Sequence, residues 1–167
     1  MFFRERLHRN HDLSGFSSGK EALDVWLKKH ALHADRSGTG RTYVWIDEAG
    51  QLVAYFTLAP HLVRREQLPA GVARGSSDAI PSILLARLAL DRSLHGQGRG
   101  AVLLADALMV ALEAMRKVGG RLIVVDAIDP QAAAFYEHHG FTPVPGNPHR
   151  LVIKASSAAE SFSVPWP

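Results

Sequence analysis

Glycines at alternate positions, Gly96, Gly98 and Gly100, stand between a mostly apolar run, Ile83–Leu90, and the apolar residues that begin at Ala101. Lacking Cβ atoms, they would let a ligand reach the backbone N–H groups. The run Ile83–Leu90 before them reads as a strand and the residues after Arg99 as a helix. The glycines therefore sit where unpaired N–H groups and the helix dipole favour an anion. Such a turn either cradles a phosphate or pyrophosphate or is a ligand-free connection, and the turn alone does not separate the two. A second candidate is Tyr136, in Phe135-Tyr136-Glu137-His138-His139-Gly140-Phe141. A phenol with an ordinary pKa of about 10 is a proton donor at neutral pH. The alternative role is an aromatic that closes a helix against a sheet.

Other chemistries are tested by context. Gly96-x-Gly98-x-x-Ala101 fits the loose dinucleotide fingerprint, with Asp126 placed to meet a ribose. However, the segments before it read as antiparallel strands, and too few residues follow for a doubly wound sheet. No Gly-Lys-Ser/Thr follows the turn, which excludes a P-loop. His30 with His33, and His138 with His139, lack the spacing and the acidic partner of a metal motif, so no metal centre is expected. A general base is not identified; His138, His139, Glu137 and Asp126 qualify by type alone.

The elements that must position these groups follow from periodicity. A short strand and polar turn fill 1–13. Ser18-Gly19-Lys20-Glu21 has the form of a capping box, and Leu23, Trp26, Leu27, Ala31 and Ala34 mark an amphipathic helix over 19–35. Ser37-Gly38-Thr39-Gly40 stops it. Residues 41–47 and 51–63 read as a hairpin around Glu48-Ala49-Gly50, and 66–82 as a loop. The helix over 99–118 is apolar on several sides, and Leu122-Ile123-Val124-Val125 reads as a strand covered on both faces. Thus 83–127 is a parallel strand–helix–strand unit. Asp129-Pro130 opens another helix that ends near His139-Gly140, and a last strand pair lies in 141–144 and 150–154. One domain over 1–155 and a flexible tail over 156–167 are expected.

Composition is that of a globular protein: 167 residues, 47% hydrophobic, 21% charged, and a net charge of +3. Nothing resembles a membrane span or a signal peptide. The absence of cysteine excludes thiolate chemistry and suits a cytoplasmic location.

With both motifs in view, the chain resembles the GNAT superfamily of acyl-CoA-dependent N-acetyltransferases. The family's pyrophosphate motif, Q/R-x-x-G-x-G/A, falls on His95, Gly96, Gln97, Gly98, Arg99 and Gly100, with His95 where Gln or Arg is usual. Its later helix motif falls on Asp129, Ala132, Tyr136, Gly140 and Phe141, and the resemblance implies that Asp129, Ala132 and Phe135 border the cofactor. The resemblance implies an α/β (α+β) GNAT fold, a mixed central sheet with helices on both faces. It implies acetyl-CoA as co-substrate and no metal. Leu88, Ala89 and Leu90 would pair with the pantetheine arm, residues 95–100 would hold the pyrophosphate, and Tyr136 would protonate the departing thiolate.

A narrower likeness runs through Phe16, Leu23-Asp24, Trp26-Leu27, Arg41–Val44, Ala54–Phe56, Leu85–Asp91 and Val125–Ala127. These segments are similar to the GNAT toxins of bacterial toxin–antitoxin pairs. That likeness implies aminoacyl-tRNA as acceptor and Arg87 and Tyr43 as substrate contacts. It also implies a cognate antitoxin of the small DNA-binding ribbon-helix-helix type, no membrane partner, and pairing through strand edges that permits a homodimer. The alternatives are acetylation of a small amine or a protein N-terminus, and a CoA- or RNA-binding module without turnover.

Overall fold

Four consecutive residues without a polar side chain, Leu122–Val125, are 0% exposed. At roughly 1.5–3 kcal/mol for each fully buried large aliphatic side chain, this stretch is a main source of stability. It forms the strand around which the second half of the chain is paired. The computed structural model describes residues 1–167. In chain order its elements are β1 (Phe3–Arg6), α1 (Glu21–Lys29), α2 (Ala31–Ser37), β2 (Arg41–Ile46), β3 (Leu52–Arg64), α3 (Ala70–Ala73), β4 (Ala79–Leu90), α4 (Arg99–Val118), β5 (Leu122–Asp126), α5 (Pro130–His138), β6 (Thr142–Val144), β7 (Asn147–Lys154) and α6 (Ala155–Ser161). The strands form a mixed seven-stranded sheet in the order β1-β2-β3-β4-β5-β7-β6.

The chain divides into two compact units, Met1–Ala59 with Ala86–Ala107, and Pro60–Leu85 with Leu108–Pro167. In the first, β1, β2 and the start of β3 pair antiparallel. The turn joining β2 to β3 is closed by Asp47, whose carboxylate accepts from the N–H groups of Ala49 and Gln51. Its core gathers Leu7, Phe16, Leu23, Leu27, Val44 and Tyr55. Tyr55 is fully buried, and its hydroxyl donates to the Leu23 carbonyl at 2.6 Å, joining β3 to α1.

The expected 19–35 helix is two helices. At His30 the backbone leaves helical geometry, with φ −124° and ψ −24°. The capping box does not form either. The Ser18 N–H and hydroxyl both donate to the Asp24 carboxylate, at 3.0 and 2.6 Å, so the reciprocal partner is Asp24 and not Glu21. Gly38, in left-handed conformation at φ 79°, ends α2 as its neighbours predict.

In the second unit β4 runs parallel to β5, Ser82–Leu85 against Leu122–Val125, and β5 pairs antiparallel with β7, which pairs with β6. Two corrections concern this unit. The 66–82 loop contains α3, and β4 already begins at Ala79, because Ile80 and Ser82 alternate inward at 1% and 5% exposure. The tail is not loose. Ala155, Ala158 and Ala159 of α6 are buried, and Arg116 donates twice to the Pro165 carbonyl, at 2.7 and 3.2 Å. The small alanines give a weak periodic signal, which is why the sequence reads as a tail. No helix is long and apolar enough to cross a membrane.

Replacing Tyr55 by Phe removes a buried hydrogen bond at constant shape. It should lower stability by about 1–2 kcal/mol without changing the urea dependence, as measured by equilibrium unfolding.

Candidate active site

The turn after β4 is organised by side chains that bond to backbone. One Asp91 oxygen accepts from the Ser93 N–H and hydroxyl at 3.0 and 2.8 Å, and the other accepts from the Ser17 N–H at 3.0 Å. The Arg92 N–H donates to the Ser17 carbonyl and the Asp91 N–H to the Val53 carbonyl. Partial burial pushes the Asp91 carboxyl up, but the bonds from Ser17 and Ser93, with Arg92 beside it, hold it below its ordinary value. The ring of His95 reaches back, its Nε2–H donating to the Leu90 carbonyl at 2.8 Å, and Gln97 donates to the Ser93 carbonyl at 3.1 Å. Gly96 and Gly98 follow at φ 74° and 73°, a region costly for residues with a Cβ. Residues 95–99 are exposed, and α4 begins at Arg99.

These facts fit a pyrophosphate cradle. A Cβ built on Gly96 or Gly98 would meet no atom within 4 Å, so there is room in front of the turn for an anion. The donors would be backbone N–H groups at a helix start, since His95 and Gln97 bond to backbone carbonyls and the Arg99 guanidinium lies by the Phe2 ring. The His95 ring, expected to bind the cofactor, is bonded to the Leu90 carbonyl. Leu88, Ala89 and Leu90 lie in the part of β4 that continues past its registered pairs with β5.

Arg87, Arg99 and Tyr43 belong to the same unit. The Arg87 guanidinium lies over the Trp26 ring, 4.3 Å from its centre, and that of Arg99 lies 5.1 Å from the Phe2 ring centre. The Tyr43 ring stacks on Phe56 at 5.2 Å.

Tyr136 belongs to the second unit, as do Asp129, Ala132 and Phe135. Asp129 caps α5, accepting from the Ala132 N–H at 2.8 Å, with Pro130 at the first position. The motif's spacing is therefore that of a capped helix carrying a tyrosine two turns in. The Tyr136 ring is 7% exposed and meets Phe135 and Phe141 edge to face, at 5.4 and 5.6 Å. Burial raises its pKa well above the ordinary phenol value, so it is a proton donor throughout the physiological range. Packing and chemistry are compatible here, because the same burial that closes the helix keeps the phenol neutral.

Of the candidate bases, Asp126 is tied up. Arg150, its direct partner across β5 and β7, holds it through two bonds of 2.7 Å. Arg150 also donates to His61 Nε2 at 3.2 Å. Burial and then Arg150 lower the His61 pKa against the opposing pull of Asp126, so its ring is neutral with the proton on Nδ1. This cluster joins three strands and has no signal in the sequence. His139 is likewise lowered, by burial and by His138.

One metal-like cluster also went unread: Glu5, His8 and His11 bring ligand atoms within 4.8 Å of one another. Both rings, however, accept backbone N–H bonds at Nδ1, from Asn10 to His8 and from His8 to His11. His11 Nε2 donates to a Glu5 oxygen at 2.8 Å, while His8 Nε2 stands 3.9 Å from the same oxygen. The His11–Glu5 contact is a hydrogen bond to a carboxylate.

Comparison with known proteins agrees with this geometry. A family model described as an acetyltransferase (GNAT) domain matches residues 39–143. A tRNA-acetylating toxin of Mycobacterium tuberculosis is 37% identical over 147 residues, 88% of each chain. Among solved structures, AtaT complexed with acetyl-methionyl-tRNAfMet superposes with a TM-score of 0.88 at 33% identity, covering 97% of this chain and 99% of that one. A tyrosine-to-phenylalanine mutant of AtaT bound to the C-terminus of the antitoxin AtaR and acetyl-CoA gives 0.82 at 32% identity, covering 97% and 98%.

If the His95 ring is a strut, His95→Ala should weaken acetyl-CoA binding by about threefold to tenfold, the worth of one hydrogen bond. His95→Gln, whose amide can reach the same carbonyl, should keep most of the affinity. Calorimetric titration with acetyl-CoA measures both.

Proposed function

The chain belongs to the GNAT acetyltransferases and uses acetyl-CoA, and on that premise we propose that it acetylates the α-amino group of aminoacyl-tRNA and thereby blocks translation. The observation that carries this reading is the match, over nearly the whole of both chains, to a toxin whose structure holds an acetylated methionyl-tRNA. The 37% identity to a tRNA-acetylating toxin points the same way. The protein would then be a cytoplasmic toxin. Its partner would be an antitoxin, as AtaT has AtaR, of the ribbon-helix-helix type. The edge strand β1, all four of whose residues are exposed, offers a pairing surface for a homodimer.

The roles follow from what each group can do. Acetyl-CoA supplies the thioester. The backbone N–H groups over 96–100 bind pyrophosphate, and those of Leu88–Leu90 pair with the pantetheine amides like an added strand. One of these N–H groups polarises the thioester carbonyl. The uncharged amine forms a bond to the acetyl carbon as the carbon–sulfur bond breaks. Tyr136 gives its hydroxyl proton to the departing sulfur and regains one from solvent, which takes up the proton released from the nitrogen. Holding amine and thioester together supplies much of the rate, since effective molarities reach roughly 10⁵ M or more.

Tyr136→Phe should retain acetyl-CoA affinity and lose most turnover, measured as single-turnover transfer beside calorimetry. With the phenol pKa raised, kcat of the wild type should show no alkaline fall from Tyr136 below about pH 10.

The acceptor is tested with labelled acetyl-CoA, total charged tRNA, uncharged tRNA and a panel of small amines. Label is expected on charged tRNA alone. Label confined to small amines would sink the tRNA reading and leave the acetyltransferase.

A further inference from the structure

Arg150 takes no part in the reaction written above, yet each of its three guanidinium nitrogens has a partner within the second unit. Nε and one terminal nitrogen donate to the two oxygens of Asp126, both at 2.7 Å, and the other terminal nitrogen donates to His61 Nε2 at 3.2 Å. The fork joins the last residue of β5 to its direct partner on β7, and His61 braces it from β3. The Arg150 and Asp126 side chains are 26% and 48% exposed, so the pair adds little to stability. What a two-pronged bond adds is geometry.

That geometry bears on α5. One residue past the pair, the Ala127 N–H donates to the His149 carbonyl at 2.7 Å and carries the β5–β7 ladder forward. Only Ile128 and Asp129 then precede Pro130, the first residue of α5, and the Ile128 side chain stands largely in solvent. At the far end of the helix, a Cβ built on Gly140 would lie 3.7 Å from the Ile153 side chain of β7. Both ends of α5 are thus referred to β7, the entry through Arg150 and the exit through Ile153, which lie on opposite faces of the strand. Tyr136 sits between these ends. Its aromatic neighbours, Phe135 and Phe141, belong to the same helix and the turn that closes it, so they travel with it.

We propose that Arg150, braced by His61, is a positioning residue for Tyr136: by fixing Asp126 it sets the entry of α5 and so the place of the phenol. The proposal rests on the reading of Tyr136 as the acid and adds to it the group that aims it. No proton passes through the cluster. Its effect is on alignment, where a misplacement of about 1 Å at a reacting group costs about a hundredfold in rate.

The test is a double-mutant cycle on the full chain. It is read as single-turnover acetyl transfer to charged tRNA, or to the small amine that the panel above labels, beside calorimetric titration with acetyl-CoA. Arg150→Gln should slow transfer by about tenfold to a hundredfold and leave acetyl-CoA affinity unchanged. Arg150→Lys, which keeps the charge and loses the fork, should be as slow. His61→Gln, whose amide oxygen can accept the same bond, should keep most of the rate that His61→Leu loses. In the Tyr136→Phe background Arg150→Gln should cost nothing further, because the group it aims is gone. A general loosening of the fold would instead slow both backgrounds by one factor. Equal factors in the two backgrounds, or a wild-type rate in Arg150→Lys, would overturn the proposal and leave the acid reading standing. A wild-type rate in Tyr136→Phe would remove the acid and the proposal together.

Discussion

The carboxylate of Asp91 is the constraint on which the cradle depends. Its two oxygens accept three bonds, tying the end of β4 to the segment before α1 and to the turn that follows. His95 and Gln97 add bonds from side chain to carbonyl, so the turn is closed by its own residues before any ligand arrives. What remains unpaired are the N–H groups at the start of α4. Preorganisation of this kind leaves little to be ordered on binding.

The two units use burial for different ends. In the first, a buried tyrosine hydroxyl finds a carbonyl, and the bond positions a helix. In the second, burial of Tyr136 between Phe135 and Phe141 raises its pKa and keeps the phenol protonated. The same residue type is a structural bolt in one setting and, in the reaction proposed above, an acid in the other.

Much of this was legible in the residues. The strand-to-helix turn at Gly96 and Gly98, the Asp129 cap and the buried strand Leu122–Val125 are local patterns, and the structure has each of them. The site parts that could be read were those built from consecutive backbone. Where reading failed, the deciding interaction was distant or the signal weak. Ser18 chose Asp24 over Glu21 because the helix starts later than the cap pattern implies. The alanines of α6 bury well but carry little periodicity. His61, Arg150 and Asp126 lie on three strands, so no spacing along the chain announces them.

Gly96 and Gly98 carry a consequence of another kind. Both need left-handed backbone, and around both there is open space. A side chain there strains the turn by about 1–2 kcal/mol per residue yet strikes nothing in either core. If the turn holds the cofactor as proposed, a short mutational route to inactivity runs through two codons and spares the fold. On the tRNA-acetylating reading proposed above, that route would matter to the host. It would leave behind a silent, intact copy, still able to occupy any neutralising partner that recognises the surface and not the reaction.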